Sequence, residues 1–160
     1  MRNEKRTPRV SEFGSVDPAP PLSIGDVESW RTTLLDDNKK MFEKMRVVFS
    51  LRNNRSPKAV MALCDGFRSN SALLRHEIAY VLGQMQDKLA IPTLIERLSD
   101  VSEHIMVRHE AAEALGAIGE QRAKIVLERF LTDPNPEVAE SCEVALDLLE
   151  LCANNEKIEW

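Results

Sequence analysis

Apolar residues recur along this chain at helical spacing, and the helical faces themselves recur. Leu74, Ile78, Val81, Leu82 and Met85 stand at i, i+4, i+7, i+8 and i+11, one stripe of an amphipathic helix. The same series returns 33 residues later as Val107, Ala111, Ala114, Leu115 and Ile118. It returns 31 residues after that as Val138, Cys142, Ala145, Leu146 and Leu149. An eroded copy precedes them, with Val47 and Leu51 31 residues before Ile78 and Leu82. A second helix belongs to each unit: Leu63, Leu94 and Leu127 are equivalent in it, followed by Phe67, Leu98 and Leu131. One helix pair cannot bury its apolar stripe alone, whereas stacked pairs can. The pattern predicts an all-α, HEAT-like solenoid of about four repeats over residues 26–152.

Punctuation supports these boundaries. Asp26 is placed to cap a helix running through Trp30 and Leu34 that breaks near Asp36-Asp37, and "TDPNPE" at 132–137 closes one helix and leads into the next. Residues 1 to about 25 hold four of the eight prolines and no helical periodicity, which predicts a flexible leader or linker. Residues 153–160 read as a C-terminal tail.

Composition adds bounds. The 160 residues suffice for one domain, and 43% hydrophobic with 29% charged residues is ordinary for a globular chain. A net charge of -5 argues against a general nucleic-acid binder and leaves room for a basic protein partner. Three cysteines without CxxC spacing, two of them on apolar helix faces (Cys64 and Cys142), fit free thiols in a reducing compartment. No apolar run reaches the roughly 20 residues of a membrane span, and the basic start lacks the apolar core of a secretory signal. A cytoplasmic location is the default expectation.

Repetition explains leucines, alanines and glycines, but not the stretches "LLRHEIAYVLGQMQ" and "MVRHEAAEALGAIG", which begin at Leu73 and Met106. At the His76-Glu77 and His109-Glu110 position the outer units carry Met45-Arg46 and Glu140-Ser141. A requirement of the fold would appear in all four units. Parallel helices roughly 8–10 Å apart let two imidazoles converge on one atom, a carboxylate beside one of them is a third ligand, and two histidines with one carboxylate suit non-haem Fe(II). The bland alternative is a solvated polar face, with Arg75 and Arg108 paired to nearby glutamates. Recurrence in the inner units alone favours a metal site. The third histidine, His104, is off register and reads as an ordinary surface residue. The HExxH pattern fails at Tyr80 and Glu113, and the Glu-x-x-His of ferritin-like bundles is absent. Gly83 and Gly116 read as close-packing positions, and Met61, Met85 and Met106 as core fillers.

With "ESCEVALDLLE", these stretches closely resemble the C-terminal half of deoxyhypusine hydroxylase, from about Ser15 to about Glu150, and "SVDPAPPL" looks like the end of that family's inter-half segment. The resemblance implies a HEAT-repeat monooxygenase with two Fe(2+) per complete site and O2 as co-substrate, hydroxylating the deoxyhypusine side chain of a translation initiation factor to form hypusine. It implies His76, His109 and Glu110 as iron ligands, with Glu77 either a further ligand or the group holding the substrate's cationic amine. The family has two halves and four His-Glu pairs, and this chain has two pairs. The expectation is therefore half of a di-iron site, completed by an N-terminal half or a second copy. A metal-free HEAT module that binds protein on its concave face, like phycobilisome lyase repeats, is the alternative.

Overall fold

The computed structural model describes residues 7–154 and Glu159. Its helices start where local chemistry offers a cap. Asp26 accepts from the Ser29 amide while the Ser29 hydroxyl answers the Asp26 amide, opening α1 (Val27–Leu35). Ser56, followed by Pro57, opens α3 (Pro57–Asp65), and Ser71 opens α4 (Ala72–Met85). The remaining helices are α2 (Met41–Asn54), α5 (Ile91–Ser99), α6 (Ile105–Ile118), α7 (Lys124–Arg129) and α8 (Pro136–Ala153). Short 3-10 turns precede α5 and α7 and follow α3 and α7. Among the described residues no strand forms beyond one isolated bridge, Val10 to Val16.

The helices pair in order, α1 with α2 through α7 with α8, and the second helices α2, α4, α6 and α8 lie side by side as one layer. The stripes read from the sequence build the core. Leu74, Ile78, Val81 and Leu82 are fully buried, as are Val107, Ala111 and Leu115, while Met85, Ile118 and Leu146 pack partly buried at its margin. Gly83 and Gly116 are close-approach positions. A Cβ on Gly83 would lie 3.1 Å from the Ala114 Cα, and one on Gly116 would lie 2.9 Å from the Ala145 Cα. The absent side chains let α4, α6 and α8 pack backbone to backbone.

Three expectations change, and the solvated-face alternative changes with them. Leu131 is 41% exposed, because α7 ends at Arg129 and a 3-10 turn carries Phe130–Thr132 out of helical register. Met61 and Met106 are 48% and 45% exposed and so are not core fillers. Arg75 and Arg108 do not lie on a solvated face: Arg108 is fully buried with its guanidinium on Asp133 at 2.6 Å, and Arg75 meets Glu103 at 2.7 Å. The last concerns the expected flexible leader. Residues 1–6 lie outside the described set, but residues 15–22 form a strap docked on the solenoid. Ala19 is buried, the Leu22 amide donates to Ser50 Oγ, and Asp17 takes both terminal nitrogens of the buried Arg52 at 2.6 and 3.0 Å. Arg52 also lies over the rings of Phe13 and Phe49, so the strap is fixed by neutralising a cation the core cannot otherwise hold. Of the tail at 153–160, only Ala153, Asn154 and Glu159 are described.

Candidate metal centre

Helices α4 and α6 run together along the second-helix layer, held close by the Gly83–Ala114 contact. That proximity sets His76 of α4 against His109 of α6, ring centroids 6.4 Å apart and planes within 20°. Both rings turn toward one carboxylate. Glu110 Oε2 lies 3.2 Å from His76 Nε2 and 3.5 Å from His109 Nε2. One ligand atom from each of the three residues falls within 4.8 Å of the others. Donors about 2.1 Å from a shared ion stand roughly 3.0–3.4 Å apart in octahedral-cis or tetrahedral arrangement, so the two carboxylate–imidazole spacings fit a shared ion. The imidazoles are about a quarter exposed, and Glu110 is nearly buried. The hydrogen bond that His76 donates to Glu110 raises the imidazole pKa above its ordinary 6.5, with burial opposing. Two imidazoles and a carboxylate are a donor set of the kind that could hold a divalent transition metal.

Of the four residues picked out in the sequence, three converge and the fourth stands apart. Glu77 follows His76 on α4, and successive helical residues diverge by about 100°. It is absent from the ligand cluster. Burial raises its pKa above 4.5, and the charges acting on it include Asp17 of the strap and Arg52. Register explains the separation. The second residue of each pair reaches back to the first residue of the preceding repeat, as Glu110 does to His76. By that relation the partner position for Glu77 is Met45, which carries no imidazole.

The same relation exposes a residue that sequence reasoning set aside. Ser141, aligned with Glu110, reaches back to His109: its Oγ lies 2.7 Å from His109 Nδ1. Ser141 is buried, and Glu113 Oε1 lies 3.4 Å from the same nitrogen. An imidazole engaged at Nδ1 presents Nε2 as its free ligand atom. The signal is present in the register of the repeats, which sets Glu140-Ser141 at the His-Glu position of the fourth unit. Ser141 is placed to orient His109 instead. His104 lies apart from the site and caps α6, its Nδ1 accepting from the Met106 amide.

A family model described as HEAT repeats matches residues 60–147. The chain is similar to deoxyhypusine hydroxylase of Danio rerio, 52% identical over 138 residues, 86% of this chain and 45% of that protein. Against deoxyhypusine hydroxylase-B of Oryza sativa subsp. japonica it is 49% identical over 152 residues, 94% of this chain and 50% of the relative. The solved structure of human deoxyhypusine hydroxylase in complex with glycerol matches with a TM-score of 0.86 at 46% identity, covering 90% of this chain and 50% of that one. The chain spans about half the length of the curated relatives it matches. The resemblance read from the paired His-Glu motifs and the all-α solenoid both agree with these matches.

Proposed function

This chain belongs to the HEAT-repeat family, and we propose that it provides one half of the active site of a deoxyhypusine hydroxylase, an iron-dependent monooxygenase acting on the deoxyhypusine side chain of a translation initiation factor. The observation that carries the reading is the convergence of His76 Nε2 and His109 Nε2 on Glu110 Oε2, in a chain about half identical to proteins of that name. His76, His109 and Glu110 would hold one iron, which when bound supplies the activation of O2 needed to hydroxylate an unactivated carbon. Ser141 orients His109. Glu77, displaced from the cluster and without a histidine opposite, binds the substrate's cationic amine: a half-buried carboxylate is favoured in its ionised form once a cation pairs with it. The cluster offers three candidate ligand residues, so the second iron and the remaining ligands come from a complementary half or a second copy. No helix among the described residues is long and apolar enough to cross a membrane, and a cytoplasmic setting suits a translation-factor substrate.

Anaerobic Fe(II) titration with metal analysis tests this reading. The expected result is at most one iron per chain, lost in His76→Ala and His109→Ala with helix content kept, and Glu110→Ala weakening metal more than Glu77→Ala. Hydroxylation of the deoxyhypusine-bearing factor should require a complementary half or a dimer. Equal iron retention in all four variants would return the chain to a metal-free interaction module, and full turnover by a strict monomer would end the half-site reading.

A further inference from the structure

Lys44, Arg75 and Arg108 are one position in three successive repeats, 31 and 33 residues apart. Lys44 is 4% and Arg108 1% exposed, and the Arg75 side chain is mostly buried. In the second and third repeats the cation reaches the turn before the next repeat's second helix and finds an acid there. Arg75 meets Glu103, and Arg108 meets Asp133. These acids stand one and two residues before the N-caps His104 and Asn135. The corresponding places before Ser71, the N-cap of α4, hold Asn70 and Ser69, neither of them charged. Among the described residues, the one ion pair of Lys44 is with Asp37, in the turn of its own repeat, at 3.9 Å. That distance is beyond a hydrogen bond, and the Asp37 side chain is 86% exposed.

At this place lies a cavity of about 200 Å³ lined by Leu34, Leu35, Asp37, Lys44, Arg68 and Ser69. A water occupies about 30 Å³ of liquid, so an oxyanion with waters beside it fits. Arg68 is a second cation at the cavity, paired only loosely with Asp65 at 3.8 Å. The Ser69 hydroxyl accepts from the Ser71 amide and has its own proton to donate. The nearly buried Lys44 side chain reaches solvent only narrowly and has no close counter-charge, and the first repeat lacks the acid that its neighbours encode. We propose that this cavity binds a small oxyanion, a carboxylate or phosphate group, which stands in for the missing acid and pairs with Lys44 and Arg68. Asp37, exposed on the rim, turns away to solvent when the anion enters. The site is separate from the His76–His109 cluster and does not depend on its metal.

Thermal unfolding of the full chain in sodium phosphate, sodium acetate and sodium chloride at matched ionic strength tests the proposal. Phosphate or acetate should raise Tm saturably over chloride, by roughly 3–6 °C at ten times the dissociation constant, with the Ser69 and Asn70 amide resonances following the same titration. A response to both ions assigns a carboxylate-sized ligand, and a response to phosphate alone assigns a phosphate group. Ser69→Asp, which supplies the acid found at Asp133, should remove the ion-specific shift, and Lys44→Met should do the same. Should Lys44→Met fail to fold, Ser69→Asp decides. Identical Tm in the three salts, or a phosphate shift undiminished in Ser69→Asp, would overturn the proposal.

Discussion

A single hydroxyl governs how His109 is presented. Ser141 Oγ and Glu113 Oε1 both approach His109 Nδ1, at 2.7 and 3.4 Å, but Ser141 is buried while the Glu113 side chain is 46% exposed. The shorter and drier contact should dominate. Ser141→Ala is therefore expected to weaken Fe(II) binding about 10- to 100-fold, the usual cost of losing the partner behind a metal-bound histidine. Helix content should not change, and Ser141→Thr should rescue part of the loss. Competition against a chelator under anaerobic conditions measures this, and a change of less than threefold would remove Ser141 from the site. The His76-Glu77 and His109-Glu110 positions were legible in the sequence because their register is that of the leucines around them, while the family resemblance set Glu110 rather than Glu77 beside the histidines. Ser141 was not, because an isolated serine on an amphipathic helix has no chemistry of its own until a histidine from the previous repeat is set against it.

At the scale of the helices, the spacing of the second-helix layer rests on two glycines. Alanine is the better helix former by about 1 kcal/mol, so a Gly→Ala change that met no obstacle would stabilise. At Gly116 the new Cβ would sit 2.9 Å from both Cα and Cβ of Ala145, where backbone cannot yield cheaply. Gly116→Ala should then cost about 1–3 kcal/mol through strain between α6 and α8. At Gly83 the nearest atom is the Ala114 Cα at 3.1 Å, and the penalty should be smaller. Urea unfolding of both variants checks the order, and a stabilised Gly116→Ala would contradict the close-packing account. Should α4 and α6 separate at Gly83, the His76–His109 spacing would widen with them, so metal affinity should fall further in Gly83→Ala than in Gly116→Ala.

Across the whole molecule, cation–carboxylate pairs tie successive repeats together. Burial pushes the Asp133 and Glu103 carboxyls up, but hydrogen bonds from Arg108 and Arg75 outweigh it and hold both below their ordinary 3.8 and 4.5. A carboxyl depressed in the folded state adds stability that is complete above its unfolded pKa and is lost as pH falls through the folded one. The pairs should thus contribute fully and independently of pH near neutrality, and unfolding free energy should decline below about pH 4.5, first through Glu103 and then through Asp133. Arg108→Leu should cost about 3–5 kcal/mol at pH 7, since it strands a buried carboxylate. Adding Asp133→Asn should recover part of that and shallow the acid limb. Unfolding curves across pH 3–7 measure both, and an acid limb unchanged in the double variant would sink the assignment.

The sequence by itself determined the repeat length, the apolar stripes, the close-packing glycines and the recurring His-Glu positions from which the candidate metal cluster is drawn. All of these follow from helical periodicity, which is local and recurs at nearly constant offset. Only the tertiary structure decided the polar partnerships. Arg75 to Glu103 spans 28 residues, Arg108 to Asp133 spans 25, and Arg52 to Asp17 spans 35 in the opposite direction. The arginines Arg75 and Arg108 recur with the repeat, but their acids keep no single offset, because a buried charge pairs with whichever carboxylate the stacked turns bring within reach. The proline-rich strap illustrates the limit. Its lack of periodicity predicted a loose leader, and one buried arginine, placed by the stack, gave Asp17 and the chain around it a fixed seat.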